Sequence, residues 1–296
     1  MAVQEVAGAA PAEPATPEPE IAAVVIQPTR GLASLNLRAV WEYRELLYFL
    51  VWRDVKVRYK QTALGVAWIV LQPVISTVVF TLLFGILLEV PSGGAPYPVF
   101  ALAGLVPWTY FAGSLTRSST SLVGSSHLIT KVYFPRLIIP LSGVLSGLVD
   151  FGVTFLVLVV MMIAYRITPT WGVLLLPAFL LLAMATALAF GLWLAALNVR
   201  YRDVNYLVPF LVQIWMFLTP VVYGVTLIPQ PYRWLLALNP MTVVVEGFRW
   251  ALLGSAAPAS QTATWVLALS LVIVAVVLVS GLFFFRSTER TFADVI

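Results

Sequence analysis

Few side chains in this sequence could perform nucleophilic, acid–base or metal chemistry. His127 is the single histidine and cysteine is absent, which leaves no thiolate metal site and no Ser–His nucleophile pair. The sequence has no G-x-x-x-x-G-K-[ST] loop, so it does not bind ATP through a Walker fold. Asp150 is the exception, because a carboxylate inside a long apolar run is costly to bury. It could transfer protons in a carrier, or it could have a hydrogen-bonded structural role beside Ser146 and Gly147.

Aromatic side chains are the second feature that could act on a substrate. The sequence has 10 Trp, 11 Tyr and 17 Phe, and several fall inside apolar runs rather than at their ends, where a membrane-interface belt would place them. Rings along a path can stack on the C–H faces of sugars while offering few hydrogen bonds that would retain them. Core or lipid-facing packing explains any single ring equally well, but the set predicts a sugar path. Its members are Trp68, Trp108, Tyr110, Phe111, Trp193, Trp215 and Tyr223.

The elements that must position these residues are membrane spans. Of 296 residues, 61% are hydrophobic and 10% are charged, and the mean hydropathy is +0.96; soluble domains carry about 25% charged residues. This composition excludes a solvated globular enzyme and predicts an all-α polytopic membrane protein. Six runs reach the roughly 17–25 residues that cross a bilayer. They lie at about 64–88, 97–116, 137–165, 171–197, 204–225 and 263–285.

Two segments precede the spans. Residues 1–28 contain Pro11, Pro14, Pro17 and Pro19 but no Lys or Arg, a composition that predicts a disordered cytoplasmic tail and not a signal peptide. In residues 34–60, apolar and aromatic residues recur at helical spacing opposite basic ones. This pattern predicts an amphipathic helix lying in the membrane interface, with a helix packed on a soluble core as the alternative.

The stretch from 226 to 256 is apolar but contains no run long enough to span. It is interrupted by prolines and includes the charged residues Glu246 and Arg249. Pro-broken helices at membrane depth are tolerated only where protein or a water-filled cavity surrounds them. A pair of re-entrant half-helices is therefore predicted, with an extramembrane loop as the alternative. The residues that define this stretch are Pro229, Pro231, Asn239, Pro240, Glu246 and Arg249.

The positive charges are distributed asymmetrically between the two sides of these spans. With the N-terminus inside, 14 of the 17 basic residues lie on the cytoplasmic side. Only Arg166, Arg233 and Arg249 fall elsewhere. By the positive-inside rule, both termini are predicted to be cytoplasmic.

Two of the cytoplasmic loops carry distinctive residues. Residues 118–136 are too polar to enter the bilayer, and they predict a short surface helix that presents Leu128, Ile129, Tyr133 and Phe134 to a partner groove. Residues 198–204 form a compact charged cluster. In the third span, Gly143 and Gly147 form a small-xxx-small pattern that permits close helix approach.

Four motifs in these positions resemble the ABC-2-type permeases that export polysaccharides and polyol phosphates. They are Arg58-Tyr-Lys-Gln-x-x-Leu-Gly-x-x-Trp68-x-x-x-Gln72-Pro73, Lys131-Val-Tyr-Phe-Pro-Arg136, Leu197-Asn-Val-Arg-Tyr-Arg-Asp203 and Leu238-Asn-Pro240. The resemblance runs in order from about residue 38 to 290, so residues 61–290 are expected to form one six-span permease domain. The acidic, proline-rich tail is not part of the shared pattern.

The resemblance implies a homodimeric permease that works with two copies of a separate ABC ATPase subunit. This chain would need no cofactor of its own, since ATP and Mg²⁺ would bind to that subunit. The stretch after the fifth span would form gate helices at the outer side. The implied ATPase-coupling residues are His127, Leu128, Lys131, Tyr133, Phe134, Arg136, Arg200, Arg202, Asp203, Arg53 and Arg58.

The expected function is ATP-driven export of a lipid-linked polysaccharide across the inner membrane of a bacterium, with no nucleic-acid partner. Three alternatives stay open. One is an ABC-2 exporter of small hydrophobic compounds, and another is a proton-driven carrier or flippase using Asp150. The third, a membrane transferase acting on lipid-linked sugars, would need a cluster of carboxylates or histidines that the sequence does not show.

Overall fold

A computed structural model of the chain describes residues 37–60, 67–254, 264–289 and Phe292. The predicted tail, residues 1–28, lies outside the described residues. Within the described ranges every regular element is helical, which confirms the all-α class. The helices are α1 Leu37–Glu42, α2 Arg44–Lys60, α3 Ala67–Phe80, α4 Tyr97–Gly124, α5 Ser126–Lys131, α6 Ile138–Leu145, α7 Gly147–Ala164, α8 Leu176–Arg200, α9 Val204–Leu218, α10 Arg233–Ala237, α11 Pro240–Leu253 and α12 Thr264–Glu289.

Five helical stretches among the described residues are long and apolar enough to cross a membrane. Two of them include non-α turns: α3 continues as a π-helix over Thr81–Leu87, and a 3₁₀ turn over Trp171–Leu175 precedes α8. A third stretch consists of α6 and α7 together. The five stretches are Ala67–Leu87, Tyr97–Gly124, Ile138–Ala164, Trp171–Arg200 and Trp265–Glu289.

The predicted span at 204–225 is shorter than expected. Helix α9 ends at Leu218 after 15 residues, and Thr219 is extended, with φ −103° and ψ 135°. Pro220 explains this end, because a proline disfavours the helical conformation of the residue before it and provides no N–H donor. The fifth predicted span is therefore an apolar helix of 15 residues, shorter than the roughly 17–25 residues that cross a bilayer.

Helix α4 forms the centre of the fold and packs against α3, α6, α7, α8, α9 and α11. It extends past its predicted end at Thr116 to Gly124, so the prediction that residues 118–136 form a loop is wrong for its first third. Ser118 and Ser119 are buried there. The helix satisfies the Ser119 hydroxyl internally, since Ser119 Oγ donates to the Thr116 carbonyl at 2.8 Å. Asn198 of α8 donates to the Ser119 carbonyl at 3.0 Å.

The first two helices, α1 and α2, are separated by Tyr43. Helix α2 packs on α6 through Leu50 and Val55, which are buried. Trp41 and Trp52 are exposed, at 71% and 56% of their surface. The face of α2 in contact with α6 is therefore aliphatic, and Trp52 projects outward.

The broken stretch after α9 consists of short pieces. Two 3₁₀ turns, Val225–Leu227 and Gln230–Tyr232, precede the five-residue helix α10. Asn239 then caps α11 by accepting a hydrogen bond from the Met241 amide at 3.0 Å, with Pro240 in the first turn. Helix α11 is almost completely buried. The interruptions thus coincide with the prolines and with Asn239.

Two apolar clusters form the core, at different levels of the bundle. The larger one surrounds the first part of α4. The smaller one, called the end cluster, joins the ends of α4, α8 and α12 to the segment between α5 and α6. Its buried members are Leu50, Leu122, Ile129, Phe134, Ile138, Ile139, Leu192, Ala195, Ala196, Val199, Phe285 and Phe292.

Gly147 provides a test of the close approach between α7 and α4. A Cβ built on Gly147 would overlap the Arg117 guanidinium, whereas one built on Gly152 of the same helix would meet nothing within 4 Å. We expect Gly147→Ala to destabilise the fold by about 1–3 kcal/mol through overpacking. The thermal midpoint of the purified protein, followed by size-exclusion chromatography in mild detergent, should fall by several degrees.

Gly152→Ala is the matched control. It should leave the midpoint unchanged or raise it slightly, because alanine favours a helix by up to about 1 kcal/mol over glycine. Equal midpoints for the two variants would contradict the packing described for Gly147.

Candidate functional site

Asp150 lies in the first turn of α7, where side chains from two other helices reach it. Arg58 of α2 donates to Oδ2 at 2.5 Å, and Arg117 of α4 donates to the same oxygen at 3.3 Å. The Tyr59 hydroxyl donates to Oδ1. The carboxylate thus joins α2, α4 and α7, and we call these four residues the charge cluster.

These contacts correct the sequence-based interpretation of Asp150. Ser146 does not bond to the carboxylate but donates to the Gly143 carbonyl at 3.2 Å. Gly147 contributes by its lack of a side chain, which leaves room for Arg117. A hydrogen-bonded role is therefore present, with different partners from those expected. Arg58, predicted to contact an ATPase, points its guanidinium to Asp150 instead.

Arg117 is held more firmly than Arg58. Its Nε donates to the Gly143 carbonyl at 3.0 Å and its Nη2 to Ser114 Oγ at 3.1 Å. Tyr59 is kept neutral, because burial, together with its bond to Asp150, raises its pKa to about 12. It therefore remains a hydrogen-bond donor across the physiological pH range.

A cavity of about 1110 Å³ borders the charge cluster. Residues of α2, α3, α4, α7 and α9 line it, and along α4 its lining extends from Leu105 to Arg117, about 18 Å at the rise of an α-helix. Three of the aromatic residues predicted to line a path face this cavity: Trp68, Trp108 and Tyr110. Phe80 and Phe151 add further rings to its wall.

The other four predicted aromatics do not line this cavity. Phe111 packs edge-on against Trp215, with ring centroids 4.9 Å apart. Trp193 stacks on Phe284 at 4.3 Å. The Tyr223 hydroxyl donates to a backbone carbonyl at the end of α9. In the described chain these rings contribute to helix packing.

The surface around α5 has an exposed part and an anchored part. His127, Lys131 and Tyr133 are exposed, Tyr133 at 73%, and Leu128 is half-buried against the end cluster. Ile129 and Phe134 are buried in that cluster, so the prediction that they present their side chains to a partner is wrong. An apolar side chain this close to the end cluster gains more from burial there than from exposure to solvent.

Arg136 belongs to the anchored part. Its guanidinium donates to the Glu289 carbonyl at the end of α12, and its amide donates to Glu289 Oε1 at 3.4 Å. It also lies over the Phe292 ring, at 5.9 Å from the centroid. The segment after α5 is therefore fixed to the last helix of the chain.

The other predicted coupling residues are exposed. Arg200 is the last residue of α8, and Arg202 and Asp203 occupy the turn between α8 and α9. Arg53 is exposed on α2 and pairs with its neighbour Asp54 at 2.9 Å. Among the described residues, no group of three or more His, Cys, Asp or Glu side chains could hold a metal ion.

Glu246 and Arg249 form a buried ion pair on α11, at 3.0 Å. Arg249 has no exposed surface. A gate role for this pair stays a prediction. Its other partners are backbone carbonyls far away in the chain, which no sequence pattern indicates. Arg249 donates to the carbonyls of Phe100, Pro220, Val221 and Tyr223, and its guanidinium lies 3.7 Å from the centroid of the Phe100 ring.

Tyr97 completes this arrangement, since its hydroxyl donates to the Val222 carbonyl at 2.5 Å. The four successive carbonyls from Pro220 to Tyr223 are thus bound by two side chains. We call Tyr97, Glu246, Arg249 and residues 220–223 the carbonyl clamp. It fixes the path of the chain after α9, where no helix can satisfy those groups.

Arg249→Gln should strongly destabilise the protein. Removing one partner of a buried pair costs about 3–5 kcal/mol, and here it also leaves backbone carbonyls without donors. We expect the thermal midpoint in detergent to fall further than for Glu246→Gln, which keeps the arginine on its carbonyls. Arg166→Gln, a change at an exposed arginine, is the matched control and should have little effect. If Arg249→Gln melts like Arg166→Gln, the clamp does not hold this segment.

Comparison with known proteins gives a consistent family assignment. Residues 45–253 match the family described as ABC-2 type transporter. The chain is 34% identical to the O-antigen export system permease protein RfbA of Myxococcus xanthus, over 72% of this chain and 82% of that one. It is 30% identical to the Klebsiella pneumoniae protein of the same name, over 69% and 79%. It is 23% identical to the polysialic acid transport protein KpsM of Escherichia coli, over 68% and 78%. On the match across residues 45–253 and this similarity, the chain belongs to the ABC-2 type transporter family.

Proposed function

We propose that this chain is the permease subunit of an ATP-binding cassette exporter that moves a lipid-linked polysaccharide out of the cytoplasm. The observation that carries the proposal is the 34% identity, over most of both chains, to a protein named as an O-antigen export permease. Of two less similar relatives, the Klebsiella protein is also named as an O-antigen export permease, and the Escherichia protein is named as a polysialic acid transport protein. The proposed substrate class, a polysaccharide, therefore rests on the names of these relatives.

The cavity supports a sugar-containing substrate. Trp68, Trp108 and Tyr110 line its walls. The Trp68 ring is 57% exposed and can stack on the apolar face of a sugar, while Gln72, Ser76 and the charge cluster provide polar groups. The dimensions of the cavity are compatible with part of a glycan rather than with a whole polymer, so the glycan would pass in successive segments. A small hydrophobic cargo would not require the charged end.

The exposed surface around α5 supports an ATPase partner. His127, Lys131 and Tyr133 project from a short helix that the end cluster and α12 hold in place. Arg200, Arg202 and Asp203 lie exposed on the turn after α8, and Arg53 lies exposed on α2. We propose that two ATPase subunits dock here, bind ATP and Mg²⁺, and move α5 during their cycle. Leu128, Phe134 and Arg136 would transmit this motion as anchors.

A second copy of the chain would complete the path. Helices α3 and α9 bury few of their side chains within one protomer, and exposed apolar residues such as Ile75, Val78, Phe210 and Phe217 cover them. Both helices also line the cavity. A homodimer formed along α3 and α9 would place the two cavities at its centre, with lipid on the remaining apolar surfaces.

The proposed orientation follows from the charges. The basic residues around α5, α8 and α12 lie near the end cluster, and this end would be cytoplasmic in the inner membrane of a bacterium. Helices α10 and α11 would then form the outer gate as re-entrant pieces, closed by the carbonyl clamp. Pro229 and Pro231 are exposed in the turns that precede α10.

The proton-driven carrier receives less support. That hypothesis needs Asp150 as an unpaired carboxylate, but three side chains donate hydrogen bonds to it. The carboxylate is held in its charged form by two arginines, Arg58 and Arg117, which disfavours the uptake of a proton.

The coupling surface can be tested with Lys131→Glu and Tyr133→Ala. Both change exposed side chains, so the fold should remain intact. We expect the ATPase subunit to co-purify less well or to hydrolyse ATP without export, with glycan at the cell surface reduced at least fivefold. Arg166→Glu makes the same charge change at an exposed position between α7 and α8, away from the proposed docking surface, and is the control.

The measurements are surface glycan, the copy number of a Walker-containing subunit by mass spectrometry, and ATPase activity of the purified complex. Normal export by both variants would contradict the assignment of the surface around α5. Absence of any Walker-containing subunit from preparations in several mild detergents would contradict the proposed function itself.

A further inference from the structure

The charged residues that line the cavity do not balance. Among the residues lining it, Arg58 and Arg117 are positive and Asp150 alone is negative. Their side chains are between 25% and 29% exposed, so all three are accessible from the cavity while being partly shielded from bulk water. One end of the cavity therefore carries an excess positive charge, while the rest of its lining is apolar, aromatic or uncharged polar.

We propose that Arg58 and Arg117 bind the phosphate group of an amphiphilic substrate, and that Asp150 takes the place of that phosphate when the cavity is empty. The proposal rests on the proposed function, because it assumes a substrate in which a phosphate joins the glycan to a lipid. It extends that function by assigning a headgroup site to particular residues.

The donor geometry favours a phosphate. Both arginines direct Nη1 to the same oxygen of Asp150, so two guanidinium groups converge on one anionic atom. Guanidinium groups donate hydrogen bonds to planar carboxylates and to tetrahedral phosphates, and the oxygens of both groups can accept from several donors at once. A phosphate has more acceptor oxygens than the carboxylate it would displace, and it can satisfy both arginines together.

The two arginines differ in how firmly hydrogen bonds hold their guanidinium groups in place. Arg117 is fixed by its bonds to Gly143 and Ser114, whereas the described contacts of the Arg58 guanidinium are within the charge cluster, to Asp150 and over the Tyr59 ring. Arg117 would therefore set the position of the phosphate, and Arg58 would close on it. Asp150 would remain nearby as a competing acceptor and would weaken the binding of small anions.

The rest of the cavity fits the remainder of such a molecule. From Arg117 the lining continues along α4 to Leu105, with Phe80, Phe151 and Met216 on the opposing walls. An apolar chain attached to the phosphate would be in contact with these side chains, whereas inorganic phosphate would use none of them. Trp68 also lines the cavity and is 57% exposed, so its ring is available to a ligand at the edge of the cavity.

Binding of farnesyl diphosphate to the purified complex in nonionic detergent tests the site. Inorganic pyrophosphate, farnesol and phosphatidylglycerol serve as separate competitors. We expect farnesyl diphosphate to bind at least tenfold more tightly than either pyrophosphate or farnesol. Arg58→Gln should weaken binding about tenfold, the size of one charge-assisted hydrogen bond, and Asp150→Asn should tighten it at least threefold.

Arg44→Gln is the matched control, because it removes the same charge from an exposed position of the same helix. Its affinity should equal that of the unmodified protein. If Asp150→Asn does not yield folded protein, the salt dependence of the affinity supplies the same test. Added salt should weaken binding of farnesyl diphosphate to the unmodified protein, and this dependence should be lost in Arg58→Gln.

Several results would overturn the proposal. Equal affinities for Arg58→Gln and Arg44→Gln would show that the arginine does not contact the phosphate, and weaker binding by folded Asp150→Asn would show that the carboxylate does not compete. Competition by phosphatidylglycerol at equal affinity would assign the site to bulk lipid headgroups. None of these outcomes depends on ATPase coupling, so the headgroup site can fail while surface glycan measurements still support the exporter, and the reverse also holds.

Discussion

The fold depends on a single guanidinium group that has no contact with solvent. Arg249 compensates the backbone carbonyls of a segment that leaves α9 and cannot form a helix, and Glu246 balances its charge. In an apolar surrounding, each unpaired carbonyl would cost several kcal/mol. The buried arginine therefore permits irregular backbone at a level of the bundle where it would otherwise be excluded. Without it, neither the bend after Leu218 nor the packing of α11 on α4 would be favourable.

The charge cluster and the carbonyl clamp follow the same rule at different levels of the bundle. In each, an arginine crosses between helices and binds a carboxylate together with backbone or hydroxyl oxygens. They differ in accessibility: the clamp is closed to solvent, whereas the charge cluster borders a cavity. A buried ion pair holds a structure, and a partly exposed one can exchange partners. This difference separates a structural role for Arg249 from a ligand-binding role for Arg58 and Arg117.

The sequence was sufficient to predict the helical class, most of the spans and the interruptions at Pro229, Pro231 and Asn239, because these follow from hydropathy and backbone chemistry. It could not predict that α4 continues to Gly124, since a Ser- and Thr-rich run has low hydropathy while its hydroxyls bond within the helix. The partners of Asp150 lie 92 and 33 positions away in the chain, and no periodicity encodes such contacts. The cost of an isolated carboxylate was a signal that partners exist. Phe134 was assigned to a docking surface because its aromatic type does not reveal whether it faces a partner or the core.

The link between Arg136 and Glu289 has a consequence for assembly. The segment after α5 is ordered by the chain's own last helix, so its shape exists before any second protein arrives. A preformed surface requires little loss of conformational freedom on association, and rigid docking of this kind proceeds without a folding step. A complex with the proposed ATPase could then dissociate and re-form in the membrane without refolding of this segment, and the rate of exchange would be limited by encounter and surface complementarity.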